Sequence, residues 1–210
     1  MERPYMICHM IVSLDGKVTG DFLSHPAAQQ GIEEYYRINR QWPCGGFACG
    51  RVTMEESFTG GVNPPLEEFS SAKETREDYI AVPIGTRIAV AFDRKGRLGW
   101  RQSTIEDADP GYGGAHIVEV LCEQASDAYL AYLKRIGISY IFAGTDEMDL
   151  PLALLKLRES FGLNVLLLEG GSLLNSAFAK ADLIDELSLV VVPLSATGGD
   201  KPLFEDKSQK

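Results

Sequence analysis

The sequence predicts an α/β fold, a central, mostly parallel sheet flanked by helices, in one domain over residues 1–210. Three observations predict it. Apolar runs of strand length alternate with helical patterns almost throughout, the order that a parallel sheet requires. Several of the runs are continuously apolar, as at Val165–Leu168, which marks strands covered on both faces. Finally, strand ends at Gly50, Asp93 and Gly170 run into turns, two of them glycine-rich and followed by a helix. Open α/β sheets bind their ligands at such carboxyl ends.

Each element follows from local pattern. Residues 5–14 form an apolar first strand, closed by the Asp15-Gly16-Lys17 turn signal. Residues 25–42 are helical in pattern, with Ile32, Tyr35, Tyr36 and Ile38 expected on the buried face. Residues 46–49 make a short strand, and Gly50-Arg51-Val52-Thr53 opens a short helix to residue 58. Residues 59–76 are rich in Gly, Pro, Ser and charge and read as a long surface loop. Residues 87–92 are a strand ending in Asp93-Arg94-Lys95-Gly96-Arg97, and residues 102–114 are polar loop. Then come a strand at His116–Leu121, a helix over 127–135, a strand over 140–143 and a helix at Leu150–Phe161. The Val165–Leu168 strand, a helix at Ser172–Lys180 and a last apolar strand over 187–192 complete the pattern. The tail beyond Phe204 is expected to fray. There is no repeat and no second-domain boundary.

Composition excludes several function classes. With 45% hydrophobic and 24% charged residues the chain is an ordinary globular protein, not a disordered one. A net charge of −10 opposes general binding to nucleic acid or to an anionic membrane. No apolar stretch is long enough to span a bilayer, and the start, broken by His9, does not read as a signal peptide. Cys8, Cys44, Cys49 and Cys122 are scattered without a Cys-x-x-Cys, so reduced thiols, a cytoplasmic location and no zinc site are expected. His9 lies among apolar neighbours and reads as a hydrogen-bonded core histidine. Tyr35, Tyr36 and Trp42 read as packing residues, and residues 187–192 as either an internal or an interface strand.

The chemistry concentrates in four segments. In Leu168-Glu169-Gly170-Gly171-Ser172 a buried strand meets a glycine turn and a helix start. Free N–H groups and the positive end of the helix dipole there suit a phosphate. Gly50-Arg51-Val52-Thr53 repeats the arrangement and adds a hydroxyl donor and a guanidinium fork. Asp93-Arg94-Lys95-Gly96-Arg97 places three cations on one turn of an acidic chain, which favours a cofactor carrying an extra 2′-phosphate, NADP(H) over NAD(H). Asp15-Gly16-Lys17 ends the first strand. Taken singly, each has a plainer reading: Gly170-Gly171 as a packing turn, Asp15-Gly16 as a turn, Lys17 and Arg51 as solvated cations. Glu169 could cap its own helix, and Thr53 with Glu56 could form a capping pair. The chain has neither G-x-G-x-x-G nor a P-loop, H-E-x-x-H or G-x-S-x-G.

Together the segments resemble a known group. G-R-V-T-M-E-E-S after a short strand and the later Gly-Gly at a helix start resemble dihydrofolate reductases. S-L-D-G-K, D-R-K-G-R-L and L-L-L-E-G-G-S-L-L-N-S-A-F followed by D-E-L resemble still more closely the riboflavin-pathway reductases, which share the dihydrofolate-reductase-like fold. The resemblance runs from residue 4 to about 204. It implies an NADPH-dependent reductase of a small phosphoribosylaminopyrimidine, working as a homodimer. It also implies that Gly50, Arg51 and Thr53 hold cofactor phosphates, that Asp93, Arg94 and Lys95 lie near its adenosine end, and that Gly170, Gly171 and Ser172 bind the pyrophosphate. Asp15, Lys17 and Glu169 would then line the substrate side, with Lys17 donating to a developing oxyanion and Glu169 orienting Lys17, the substrate or the nicotinamide amide. In the preceding helix the family's ribose-phosphate pattern appears only as E-Y-Y-R-I-N-R, where Arg37 and Arg40 are the available cations. A dihydrofolate or other pteridine reductase, and a nucleotide-binding regulatory module without turnover, are the alternative functions.

Overall fold

The structure, a computed structural model, describes residues 2–42, 45–196 and 200–205. Cys44 and the tail from residue 206 onward, two points of expectation above, lie outside the described residues. Seven strands form one sheet: β1 (Tyr5–Ser13), β2 (Gly46–Gly50), β3 (Ile88–Phe92), β4 (His116–Leu121), β5 (Ser139–Phe142), β6 (Val165–Leu168) and β7 (Glu186–Val192). Their order across the sheet is β5-β4-β3-β2-β6-β1-β7. Every neighbouring pair is parallel, so the mostly parallel sheet expected from the sequence is parallel throughout. All seven carboxyl ends consequently share one edge.

The helices are α1 (Gln29–Gln41), α2 (Arg51–Met54), α3 (Asp127–Ile136), α4 (Leu150–Phe161) and α5 (Ser172–Lys180). Alternate strand residues face two cores. Met6, Ala48, Val90, Val120 and Leu168 meet the apolar faces of α4 and α5. Ile7, Phe47, Ala91, Ile117 and Leu167 meet α3, Met54 of α2 and the ring of Trp100. The helix ends carry their expected signals. Ser126 accepts from Tyr129 N–H and Asp149 from Leu152 N–H at the starts of α3 and α4, and Gly137 and Gly162 close those helices with φ near +72°.

Three expectations change in detail. The helix over 25–42 begins only at Gln29, because 3₁₀ turns at Asp21–Ser24 and Pro26–Ala28 precede it. The helix after Gly50 is α-helical to Met54 and continues as a π-helical turn over Glu55–Thr59. The long loop over 59–76 contains a 3₁₀ turn, Leu66–Phe69, that lies against α3. The buried face of α1 also differs. Ile32, Tyr35 and Ile38 are half-covered and Tyr36 is 37% exposed, whereas Asn39 is buried. A polar group stands there because a buried carboxylate needs it, as described below.

Candidate functional site

Gly50, Phe92 and Leu168 end the adjacent strands β2, β3 and β6, so the three predicted turns meet on one stretch of the carboxyl edge. The join is direct. Gly50 N–H donates to Gly170 O at 2.7 Å. A Cβ on Gly50 would sit 3.6 Å from the Gly171 nitrogen, and one on Gly171 would sit 3.1 Å from Thr53 Oγ1. Two glycine turns thus touch through bare backbone, with the Thr53 hydroxyl against the second. Gly170 has φ +97°, a region that favours glycine, and the Gly170–Gly171 peptide is cis. Ser172, the first residue of α5, is buried and its hydroxyl has no partner. An unpaired hydroxyl beside free helix N–H groups is what a bound anion would satisfy. Neither α2 nor α5 has a side-chain cap, so the capping readings of Thr53–Glu56 and of Glu169 do not hold.

The cationic turn divides into structural and exposed parts. Asp93 is buried at the end of β3, and its Oδ2 accepts from the N–H groups of Arg97 (2.5 Å) and Leu98 (2.9 Å). Burial raises its pKa, against those donors and the charges of Arg51 and Arg97. Asp93 therefore shapes the turn from beneath. Arg94 is paired with Glu147 at 2.5 Å and Arg51 with Glu55 at 2.5 Å, while Lys95 and Arg97 are exposed. Under the turn, fully buried Glu119 accepts from Trp100 Nε1 at 2.5 Å and from Tyr129 hydroxyl at 3.2 Å. Burial drives its pKa up, and its second oxygen has no partner.

Two strands along the edge from β2, the end of β1 carries the Asp15–Lys17 turn. Asp15 Oδ1 accepts from Ala196 N–H at 2.9 Å and from the Ser13 hydroxyl at 2.8 Å, and those bonds lower its pKa. Lys17 N–H donates to Ser13 Oγ at 2.9 Å, and Lys17 is bridged to Pro202. Asp15 thus builds the turn and Lys17 is half-covered on it. Among the described residues no hydrogen bond or ion pair joins Lys17 to Glu169.

Glu169 enters the face covered by α1. It is 7% exposed. Asn39 Nδ2 donates to its Oε1 at 2.7 Å, and the hydroxyls of Tyr35 and Tyr112 favour its charged form. Burial raises its pKa to about 7, with Asn39 the largest opposing influence. Around it stands an aromatic box. Tyr112 meets Phe47 edge-on at 4.9 Å, Tyr36 at 5.9 Å and Phe58 at 6.3 Å, and Tyr35 stacks on the His9 ring at 4.3 Å. His9 itself is buried and bonded to Ser188 Oγ and Tyr35 O, each at 3.0 Å. From Asn39 and Phe47 a cavity of about 340 Å³ runs toward the amino ends of β2 and β3, lined also by Arg40, Trp42, Arg87 and Gly111.

The turns singled out in the sequence after β2, β3 and β6 thus lie side by side, whereas Asn39, Tyr112 and Arg87 were not singled out and Tyr35 was assigned to packing alone. For Asn39 a signal existed: it falls seven residues after Ile32, on the same helical stripe. Tyr112 sits in the Gly-Tyr-Gly-Gly of a loop whose path no local pattern reveals.

Comparison with known proteins shows what the chain resembles. A family model described as the RibD C-terminal domain matches residues 112–210, the part that holds β4 to β7 and the Glu-Gly-Gly turn. A 2,5-diamino-6-ribosylamino-4(3H)-pyrimidinone 5′-phosphate reductase of Methanothermobacter thermautotrophicus is 26% identical over 205 residues, covering 97% of this chain and 84% of that protein. Among solved structures, a pyrimidine reductase-like protein from Corynebacterium diphtheriae superposes with a TM-score of 0.67 at 17% identity, over 99% of this chain and 82% of that one. The riboflavin biosynthesis reductase Rib7 of Saccharomyces cerevisiae does so with a TM-score of 0.60 at 15% identity, over 96% and 78%. The resemblance to riboflavin-pathway reductases, and the dihydrofolate-reductase-like fold it implied, are borne out.

Proposed function

We propose that the chain is an NADPH-dependent reductase of riboflavin biosynthesis, acting on 2,5-diamino-6-ribosylamino-4(3H)-pyrimidinone 5′-phosphate or on its deaminated uracil counterpart. The observation that carries the reading is the direct contact of the Gly50 and Gly170–Gly171 turns, with a protonatable Glu169 next in the chain. The 26%-identical relative favours the diaminopyrimidine as substrate.

Gly50, Thr53, Gly170, Gly171 and Ser172 fit the cofactor's phosphates, since the two turns meet backbone to backbone and the cradle holds an unpaired buried hydroxyl. Arg51, Arg94 and Lys95 supply charge for the 2′-phosphate, and Asp93 holds their turn. The bound cofactor supplies the hydride. The protein must then deliver a proton to the heteroatom of the reduced bond and keep water away. Glu169 is suited to the first task, because a carboxyl group with a pKa of about 7 is substantially protonated at neutral pH. The aromatic box excludes water around it. Lys17, on the neighbouring strand end, donates to developing negative charge, and Asp15 fixes its turn. Arg40 and Arg87, which line the cavity beyond Asn39, are the cations we assign to the substrate's 5′-phosphate.

The setting is cytoplasmic and the assembly a homodimer. On the outer face of edge strand β7, Leu187, Leu189 and Val191 are 48%, 39% and 53% exposed, an apolar row that a second copy would cover. The deciding assay follows NADPH oxidation with the diaminopyrimidine ribosyl phosphate and with dihydrofolate. Turnover of the first alone is expected. Turnover of dihydrofolate, sensitive to antifolates, would replace this reading by a pteridine reductase. NADPH quenching of Trp42 and Trp100 fluorescence without any turnover would leave a binding module.

A further inference from the structure

We propose that Tyr112 is a positioning residue for the Glu169 carboxyl group, delivered by a loop that two arginines pin in place. The proposal rests on the reading of Glu169 as the proton-carrying group. Tyr112 lies outside the four segments singled out in the sequence, yet only 7% of it is exposed. Its hydroxyl acts on the Glu169 carboxyl, as does that of Tyr35; its neighbour Gly111 closes on Asn39, the donor to Glu169, and its ring is held edge-on by Phe47 and Tyr36.

The loop is built for a fixed position. Asp109 Oδ1 accepts from Gly111 N–H at 2.6 Å, and Asp109 O accepts from the N–H groups of Tyr112 (3.0 Å) and Gly113 (2.8 Å). A Cβ on Gly111 would come within 2.4 Å of Asn39 Oδ1, and one on Gly113 within 2.3 Å of Asp107 O. Two outside elements then clamp it: Arg40 of α1 pairs with Asp109, and Arg87 before β3 donates to Pro110 O. The same two arginines line the cavity proposed for the substrate phosphate. Loop position, and with it the Tyr112 hydroxyl, is thereby tied to the cations that the substrate would engage.

Glu169 is faced by Asn39 and Tyr35 from α1, by Tyr112 from the loop, by Cys8 from β1 and Cys49 from β2, and by the charge of Arg87. Of these, Tyr112 is second only to Asn39 in opposing the effect of burial on the carboxyl group. Removing its hydroxyl should raise the Glu169 pKa and loosen the carboxyl's orientation together.

The test is Tyr112→Phe, which keeps the ring and the loop. The pH profile of kcat, KM for the substrate, and NADPH quenching of tryptophan fluorescence are measured against wild type. Expected are unchanged NADPH quenching, a kcat lower by roughly threefold to tenfold on the acid plateau, and an alkaline limb moved up by about half a unit to one unit. An unmoved limb with unchanged kcat overturns the proposal. A lower kcat with an unmoved limb also overturns it, because that is the result of packing damage alone. Glu169→Gln is run in parallel. If it leaves turnover intact, the reading of Glu169 has failed; if it abolishes the limb while Tyr112→Phe leaves it in place, the failure is that of Tyr112. Asp109→Asn supplies the second variant, because it breaks the Arg40 pair while keeping the Arg87 charge that acts on Glu169: a limb shifted in the same direction as in Tyr112→Phe supports the clamp, and an unshifted limb removes it.

Discussion

Glu169 shows how one residue takes its role from its surroundings. Burial costs the charged form more than the donors of Asn39, Tyr35 and Tyr112 return, so the carboxyl titrates near pH 7. Its folded pKa is raised, so its contribution to stability is full below the unfolded value and is lost as pH rises through about 7. Glu169→Gln should therefore be less stable relative to wild type at pH 4 than at pH 9, the difference reaching about 3 kcal/mol in urea titrations at the two pH values. The same variant should lose turnover at pH 6. The cations offer a second check at this scale. Arg51→Ala and Arg94→Ala should weaken NADPH about tenfold to a hundredfold and NADH far less, as read from fluorescence quenching; equal losses for both nucleotides would remove the 2′-phosphate assignment. Lys17→Ala should lower the rate of NADPH oxidation while leaving NADPH binding intact, and unchanged turnover would exclude Lys17 from the reaction.

Among the elements, the turns after β2 and β6 act as one unit, since each is a wall of the other. Gly170 combines φ +97° with a Met10 methyl 3.3 Å from where its Cβ would stand. Gly170→Ala should cost about 1–3 kcal/mol in thermal or urea unfolding and should weaken NADPH in parallel, because the Gly50–Gly170 bond shifts with it. A stability loss without any change in cofactor affinity would make the turn a packing device only. Helix α1 carries its own lesson. Its apolar stripe is incomplete because one position, Asn39, is given to Glu169. An amphipathic pattern that breaks at a polar residue on the covered side marks a place where the core has a charge to satisfy.

For the whole molecule, the parallel sheet gathers seven carboxyl ends along one edge, and the strand order sets which of them meet. With β2 beside β6 and β3 beside β2, the three turns at Gly50, Asp93 and Gly170 become neighbours, and β1 beside β6 adds the Lys17 turn. The uncovered row on β7 bears on assembly: Leu189→Glu should convert the expected dimer to a monomer in light scattering after size exclusion. Much of this was legible in the sequence. Strand and helix identity followed from period and continuity, and His116–Leu121, Leu150–Phe161, Val165–Leu168 and Ser172–Lys180 fall on the expected bounds, because each is a strongly patterned segment ended by turn residues. The glycine turns were legible too, since glycines at a strand end mark a turn, and Gly170 takes φ +97° there. What the sequence did not disclose is which way Glu169 faces and what meets it there. Those contacts join residues 35, 39, 112 and 169, far apart along the chain, and a side chain's facing depends on strand register and helix crossing, which local pattern does not encode. The sequence by itself determined the elements and the backbone chemistry of the turns, both of which are local. Tertiary structure alone decided that Glu169 enters an aromatic box under α1, because burial and hydrogen-bond partners are properties of the packed chain.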